Sequence, residues 1–145
     1  MKCQRVSESL SGNFYNMKII RSQDCGNSPK NALLADLEVA LAGRNLACLK
    51  EHTLSDLIWT IAGIGQGVGL TSLLVALDSD LAGSSVDEME IASSFSHGKM
   101  GAVYGMRIDN IGKQYEFCSL YELSSAGSAK VKNIKIFQIE KICSD

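Results

Sequence analysis

The sequence predicts an α+β fold, and three observations carry the prediction. Apolar residues recur at helical spacing over Leu33–Leu41 and again over Leu70–Leu81. From Val86 onward the apolar spacing changes to two, the period of a half-buried strand. These strand-like stretches follow one another through short turn signals and not through helices, so a βαβ parallel sheet is not indicated.

Each element has a local cause. Ser28 is a candidate N-cap and Pro29 suits the first helical position, where a missing N–H costs nothing. Gly43 is the expected stop of that helix. A short second helix starts from Asn45, with Leu46 and Leu49 on one side, and Leu57–Ile61 reads as a strand. The third helix is expected to end near Gly83. Gly63, Gly65, Gly67 and Gly69 lack the spacing of a phosphate-binding loop and read as a flexible loop at a pocket entrance. Three later strands are divided at His97–Met100 and Asn110–Lys113, and a fourth, Val131–Ile139, follows the loop Ser124–Ser128. Residues 1–27 are weakly patterned and read as a mobile extension, leaving 28–145 as one domain.

Composition narrows the function classes. The chain has 145 residues, enough for a real core, with 46% apolar and 21% charged residues. A net charge of −2 gives no electrostatic reason to expect nucleic acid or an anionic membrane as partner. No apolar run approaches the ~20 residues of a membrane helix, and the start lacks the apolar stretch of a secretion signal. Cys3, Cys25, Cys48, Cys118 and Cys143 are odd in number and form no CxxC pair. They read as reduced thiols in a cytoplasm, with no zinc site, and neither a metal nor a cofactor is expected.

The hairpins can be aligned by assuming a two-residue loop in each, Gly98–Lys99 and Ile111–Gly112. Ser93 then faces Tyr104, Tyr104 faces Ser119, and Met106 faces Phe117. One sheet face collects Met89, Ile91, Phe95, Met106, Phe117 and Tyr121. Glu90, Arg107 and Glu116 form a charged row on the other. Across the apolar face runs a polar row, Ser93, Tyr104 and Ser119. A buried hydroxyl needs a partner, so the row reads either as a self-satisfied core or as the floor of a pocket. The small outer row Ala92, Gly105 and Cys118 offers a flat approach for a second subunit.

Four stretches carry a family resemblance: Cys25–Asn31, Leu57–Gly63, His97–Val103 with Gly105, and Tyr115–Leu123. In order and spacing, over about Cys25 to Ile142, they resemble the SnoaL-like branch of the nuclear transport factor 2-like superfamily. The resemblance implies a cone: a curved, mixed or antiparallel sheet wrapped around N-terminal helices, cystatin-like in class. It also implies a homodimer, often through the outer sheet face. The family's ketosteroid isomerases carry a general-base aspartate near Thr60 or Ile61 and an oxyanion-hole aspartate near Ser119 of this chain. They also carry a helix-one tyrosine, which has no tyrosine counterpart in Leu33–Leu41.

The expected pocket residues are Trp59, Ile61, Ser93, Tyr104, Met106, Phe117, Ser119 and Tyr121, on a face carrying no carboxylate. His97, at a strand end, is the candidate acid or base, or else a turn residue on the rim. His52 closes the second helix, where a cation suits the dipole. The leading expectation is a cytoplasmic small-molecule-binding domain with an apolar or carbonyl-containing ligand. One alternative is an isomerase, cyclase or dehydratase acting on a hydrophobic carbonyl compound, with Tyr104 and Ser119 donating to an oxyanion. The other is a dimeric protein-interaction module.

Overall fold

The computed structural model describes residues 17–22, 28–80 and 85–142. In chain order it contains β1 (Lys18–Arg21), α1 (Pro29–Gly43), α2 (Leu46–Glu51), β2 (Thr53–Ile61), β3 (Gly65–Val68), α3 (Leu70–Asp80), β4 (Val86–His97), β5 (Met100–Asp109), β6 (Gln114–Leu123) and β7 (Val131–Glu140). All the strands join one mixed sheet in the order β1-β4-β5-β6-β7-β2-β3. The sheet curls around α1 and stays open, with β1 and β3 as its edges. The α+β reading holds. The expected stop near Gly83 lies outside the described residues, as do Cys3, Cys25 and Cys143.

Helix α1 starts as its sequence dictates. The Ser28 hydroxyl accepts from the Asn31 N–H, and Pro29 occupies the first turn. The left-handed position at its end falls on Arg44 (φ 56°) and not on Gly43. Arg44 is held there by Asp78 at 2.8 Å and by the Leu41 carbonyl. Every residue from Leu34 to Ala42 is buried, so the helix is enclosed on all sides. The Ser94 and Ser96 hydroxyls fix its first turn to β4 by donating to the Asn31 backbone and side-chain oxygens, each at 2.7 Å.

Four expectations are corrected. The sheet begins before residue 28, because Lys18–Arg21 pairs in parallel with Glu88–Ile91. The glycines after β2 do not form an irregular loop. Gly65–Val68 pairs with β2, and a Cβ at Gly67 would lie 2.5 Å from the Trp59 ring. The second hairpin has a three-residue loop. Asp109 N–H bonds to the Lys113 carbonyl and Gly112 N–H to that of Asp109, with Gly112 at φ 87°. The Asp109 carboxylate fastens this turn by accepting from the Ile111 and Lys113 N–H groups. Finally, not every cysteine is reduced: Cys48 is disulfide-bonded, whereas Cys118 is free.

The extra loop residue slides β5 against β6 by one. Tyr104 now pairs with Cys118, and Met106 with Glu116. The first hairpin keeps its two-residue loop, with Phe95 opposite Ala102 and Ser93 opposite Tyr104. A bulge at Ala92 then shifts the register, bringing Ile91 opposite Gly105. A Cβ at Gly105 would fall 1.9 Å from the Glu90 carbonyl oxygen, so the bulged strand passes where only glycine fits.

The bulge can be tested through that glycine. Gly105→Ala should destabilise the fold by about 2 kcal/mol or more, because the obstacle is backbone and cannot swing aside. Chemical denaturation measures this; a loss within experimental error would show that the bulge does not depend on Gly105.

Candidate functional site

The interior of the cone holds a charged cluster. Glu38 projects from the enclosed helix α1 and is fully buried. One of its oxygens accepts from the Tyr121 hydroxyl at 2.9 Å, and the other from Arg107 Nη2 at 3.1 Å. The Arg107 guanidinium lies 4.6 Å from the centre of the Phe117 ring, a cation–π contact. Helix α1, β5 and β6 therefore each contribute one member to a closed Glu–Arg–Tyr set.

Burial governs the electrostatics. It lowers the pKa of Arg107, against the opposing pull of the Glu38 carboxylate. Burial, then the charge and hydrogen bond of Glu38, hold the Tyr121 phenol well above its ordinary value. The cluster is therefore a fixed ion pair with a neutral phenol.

Among the described residues, three polar side-chain atoms are buried with no hydrogen-bond partner: Arg107 Nε, Ser119 Oγ and Gln138 Oε1. They lie on three neighbouring strands, β5, β6 and β7. Arg107 covers Phe117, Gln138 is the β7 partner of Phe117, and Ser119 is the next inward residue along β6. Two are donors and one is an acceptor. A separate void of about 10 Å³ beside Tyr121 is walled by apolar residues such as Leu37, Leu57 and Leu73, and Arg107, Ser119 and Gln138 are not among its lining residues.

The structure sorts the expected pocket residues into two groups. Trp59, Ile61, Phe117, Ser119 and Tyr121 are buried on the inner face. Trp59 packs on β3 and donates to Ser72 Oγ at 2.8 Å, tying the sheet edge to α3. Tyr104 is 46% exposed on the outer face, with Ser93 and the half-buried Met106 on that same face. The polar row Ser93–Tyr104–Ser119 therefore does not exist, and Tyr104 and Ser119 cannot flank one carbonyl oxygen. His97 is exposed at the β4–β5 turn, on the rung of Met100 and Glu122, away from Ser119.

The sequence reading also missed residues. Arg107 was assigned to an exposed charged row, and the one-residue slip puts it inside. Glu38 gives the pocket face the carboxylate it was expected to lack. Its signal was present: Asp36 and Glu38 are the only charges in a nine-residue apolar stretch, Leu34–Ala42. An acid in such a stretch needs an internal partner if the helix is enclosed.

Two outcomes check the cluster. Glu38→Leu or Arg107→Met alone should cost about 3–5 kcal/mol, and the two together should cost less than their sum, because a lone buried charge is worse than none. Additive losses in a double-mutant cycle would show that the two groups do not act as a pair. The raised phenol pKa of Tyr121 means that the unfolded chain releases this proton first, near its ordinary value of about 10. This contribution to stability is complete below pH 10 and falls as pH rises towards the folded pKa. Alkaline denaturation should therefore be steeper for the parent than for Tyr121→Phe; equal slopes would contradict it.

No protein-family model and no curated protein matches the chain in sequence. Solved structures do match it in shape. A SnoaL-like family protein from Agrobacterium tumefaciens superposes with a TM-score of 0.60 at 14% identity, over 77% of this chain and 99% of that one. A nuclear transport factor 2-like protein of unknown function from Cytophaga hutchinsonii gives 0.57 at 14% identity, over 76% and 89%. An epoxide hydrolase from M. tuberculosis, of the LEH-like type, gives 0.54 at 14% identity, over 70% and 75%. The chain therefore has the nuclear transport factor 2-like fold found in SnoaL-like proteins.

Proposed function

We propose that this chain is a small-molecule-binding domain whose ligand places an oxygen-bearing head group inside the cone, against Arg107, Ser119 and Gln138. One observation carries the proposal: three buried polar atoms lack partners within two rungs of one another. Leaving such a group unmatched costs about 1–3 kcal/mol, and native proteins rarely do so without a use. The Arg107 N–H and the Ser119 hydroxyl suit a carbonyl or carboxyl oxygen, and the Gln138 oxygen suits a neighbouring O–H or N–H. Phe117, Ile136 and Tyr121 surround the position with apolar surface, so the body of the ligand is apolar. Binding, not turnover, is the activity proposed, because Glu38 is already engaged through both oxygens.

A second reading concerns the outer face. Phe95, Tyr104, Leu120, Phe137 and Ile139 are all more than a third exposed there, on successive rungs of β4 to β7. An exposed apolar sheet face of this kind is a surface for association, and a homodimer is the proposed occupant. The compartment follows less simply. A cytoplasmic location was expected, yet the disulfide at Cys48 favours oxidising surroundings. No helix among the described residues is long and apolar enough to cross a membrane.

Native mass spectrometry of the purified chain, with and without added long-chain ketones and carboxylic acids, tests both readings. The expected result is a dimer retaining a bound compound. Ser119→Ala should lose that compound while matching or exceeding the parent's stability without ligand, since it removes an unmatched hydroxyl. A Ser119→Ala protein that binds the same compounds equally well would end the head-group proposal. A monomer at micromolar concentration would end the dimer reading.

A further inference from the structure

A separate cleft of about 310 Å³ opens on the flank of α1, away from Arg107 and Ser119. Pro29, Ala32 and Leu33 of α1 line one side of it, with His52 and residues Ala126–Ala129 of the β6–β7 loop. Charged groups stand along the helix side, Lys30 near the start and Asp36 almost two turns later. Its volume is at the lower end of the range for small-molecule sites.

Both charged groups are fixed, and both have capacity to spare. Asp36 is only 4% exposed, and Arg21 holds its Oδ1 at 2.7 Å. Among the described residues no donor reaches its second oxygen. A carboxylate this buried ordinarily fills more than one of its acceptor positions. The Lys30 ammonium donates to the Gly98 carbonyl at 2.5 Å and to the Ala126 carbonyl at 2.7 Å. Those bonds use two of its three protons, and among the described residues no carboxylate neutralises it. The loop wall is equally settled: Ser124 donates to Ser128 at 2.7 Å, and His52 Nδ1 lies 3.1 Å from the Ala129 carbonyl. The cleft is thus preformed, with an acceptor at one end, a cationic donor at the other, and apolar surface between.

We propose that this cleft is a second binding site, for a short linear molecule with an amino group at one end and a carboxylate at the other. The six residues from Lys30 to Asp36 rise about 9 Å along the helix, at 1.5 Å per residue. An ω-amino acid with a chain of five or six carbons, making a hydrogen bond at each end, is long enough to cover that rise. Its ammonium meets the free oxygen of Asp36, its carboxylate meets Lys30, and its methylenes lie over Ala32 and Leu33. The Arg21–Asp36 pair holds the carboxylate in place without closing the site.

The probe is 6-aminohexanoate, titrated into the full chain and followed by backbone amide NMR. Saturable shifts should be confined to the first two turns of α1 and to residues 126–129. Hexylamine and hexanoate, each able to engage one end only, should bind about tenfold more weakly. Asp36→Asn should bring 6-aminohexanoate down to the level of hexanoate. Because that change also disturbs Arg21, Leu33→Trp provides an independent check: it fills the cleft from the α1 side and should abolish binding with the Arg21 pair intact. Absence of saturable shifts in the folded parent would overturn the proposal. So would binding that survives Leu33→Trp, or hexanoate binding as tightly as the amino acid. Ser119→Ala should leave this titration unchanged, which separates the cleft from the site inside the cone.

Discussion

The contact between Glu38 and the Arg107–Tyr121 pair is the constraint on which the rest of the structure depends. A fully buried carboxylate is tolerated only when its charge is matched and its oxygens are filled. Here the match comes from two strands of the curved sheet, so α1 can sit at the centre of the cone in only one rotation and one height. Apolar packing alone would be less selective, since α1 is apolar nearly all the way round and could turn with little loss.

The same helix carries a second acid, and the two acids do different work. Glu38 points to the middle of the sheet, whereas Asp36 reaches Arg21 on the edge strand β1. The first pair sets where the helix lies inside the sheet. The second ties the helix to one margin of a sheet that never closes on itself. Ser94 and Ser96 add neutral bonds at the start of the helix, so it is pinned at three levels along its length. A cone held in this way keeps polar groups in its interior at defined positions. Such preorganisation lets a few unmatched atoms distinguish one ligand from another.

Much of the architecture was legible because it is local. Ser28-Pro29 at a helix start, the period of two after Val86 and the Gly98 turn each act within a few residues, and each appears where the sequence placed it. The site was less legible, because it depends on two single-residue events. The Asp109 carboxylate supports a three-residue turn where a two-residue turn was assumed, and the bulge at Ala92 shifts half of β4. The first event turned Arg107 inwards and Tyr104 outwards. An Asp-x-x-Gly pattern at residues 109–112 was the available signal, because an aspartate can hold the turn that a left-handed glycine then ends.

By itself the sequence determined the order of the three helices, of β2 and of β4 to β7, the Ser28 and Asn45 caps and the Gly98 turn, because these are set by residues close together in the chain. It also placed two acids in the apolar stretch Leu34–Ala42, a pattern that requires internal partners once the helix is enclosed. Only the tertiary structure decided which cations answered them, Arg21 for Asp36 and Arg107 for Glu38, since those pairs join residues far apart in sequence. It decided too which side of each strand faces inwards, because with a period of two a single extra residue exchanges the faces of everything that follows.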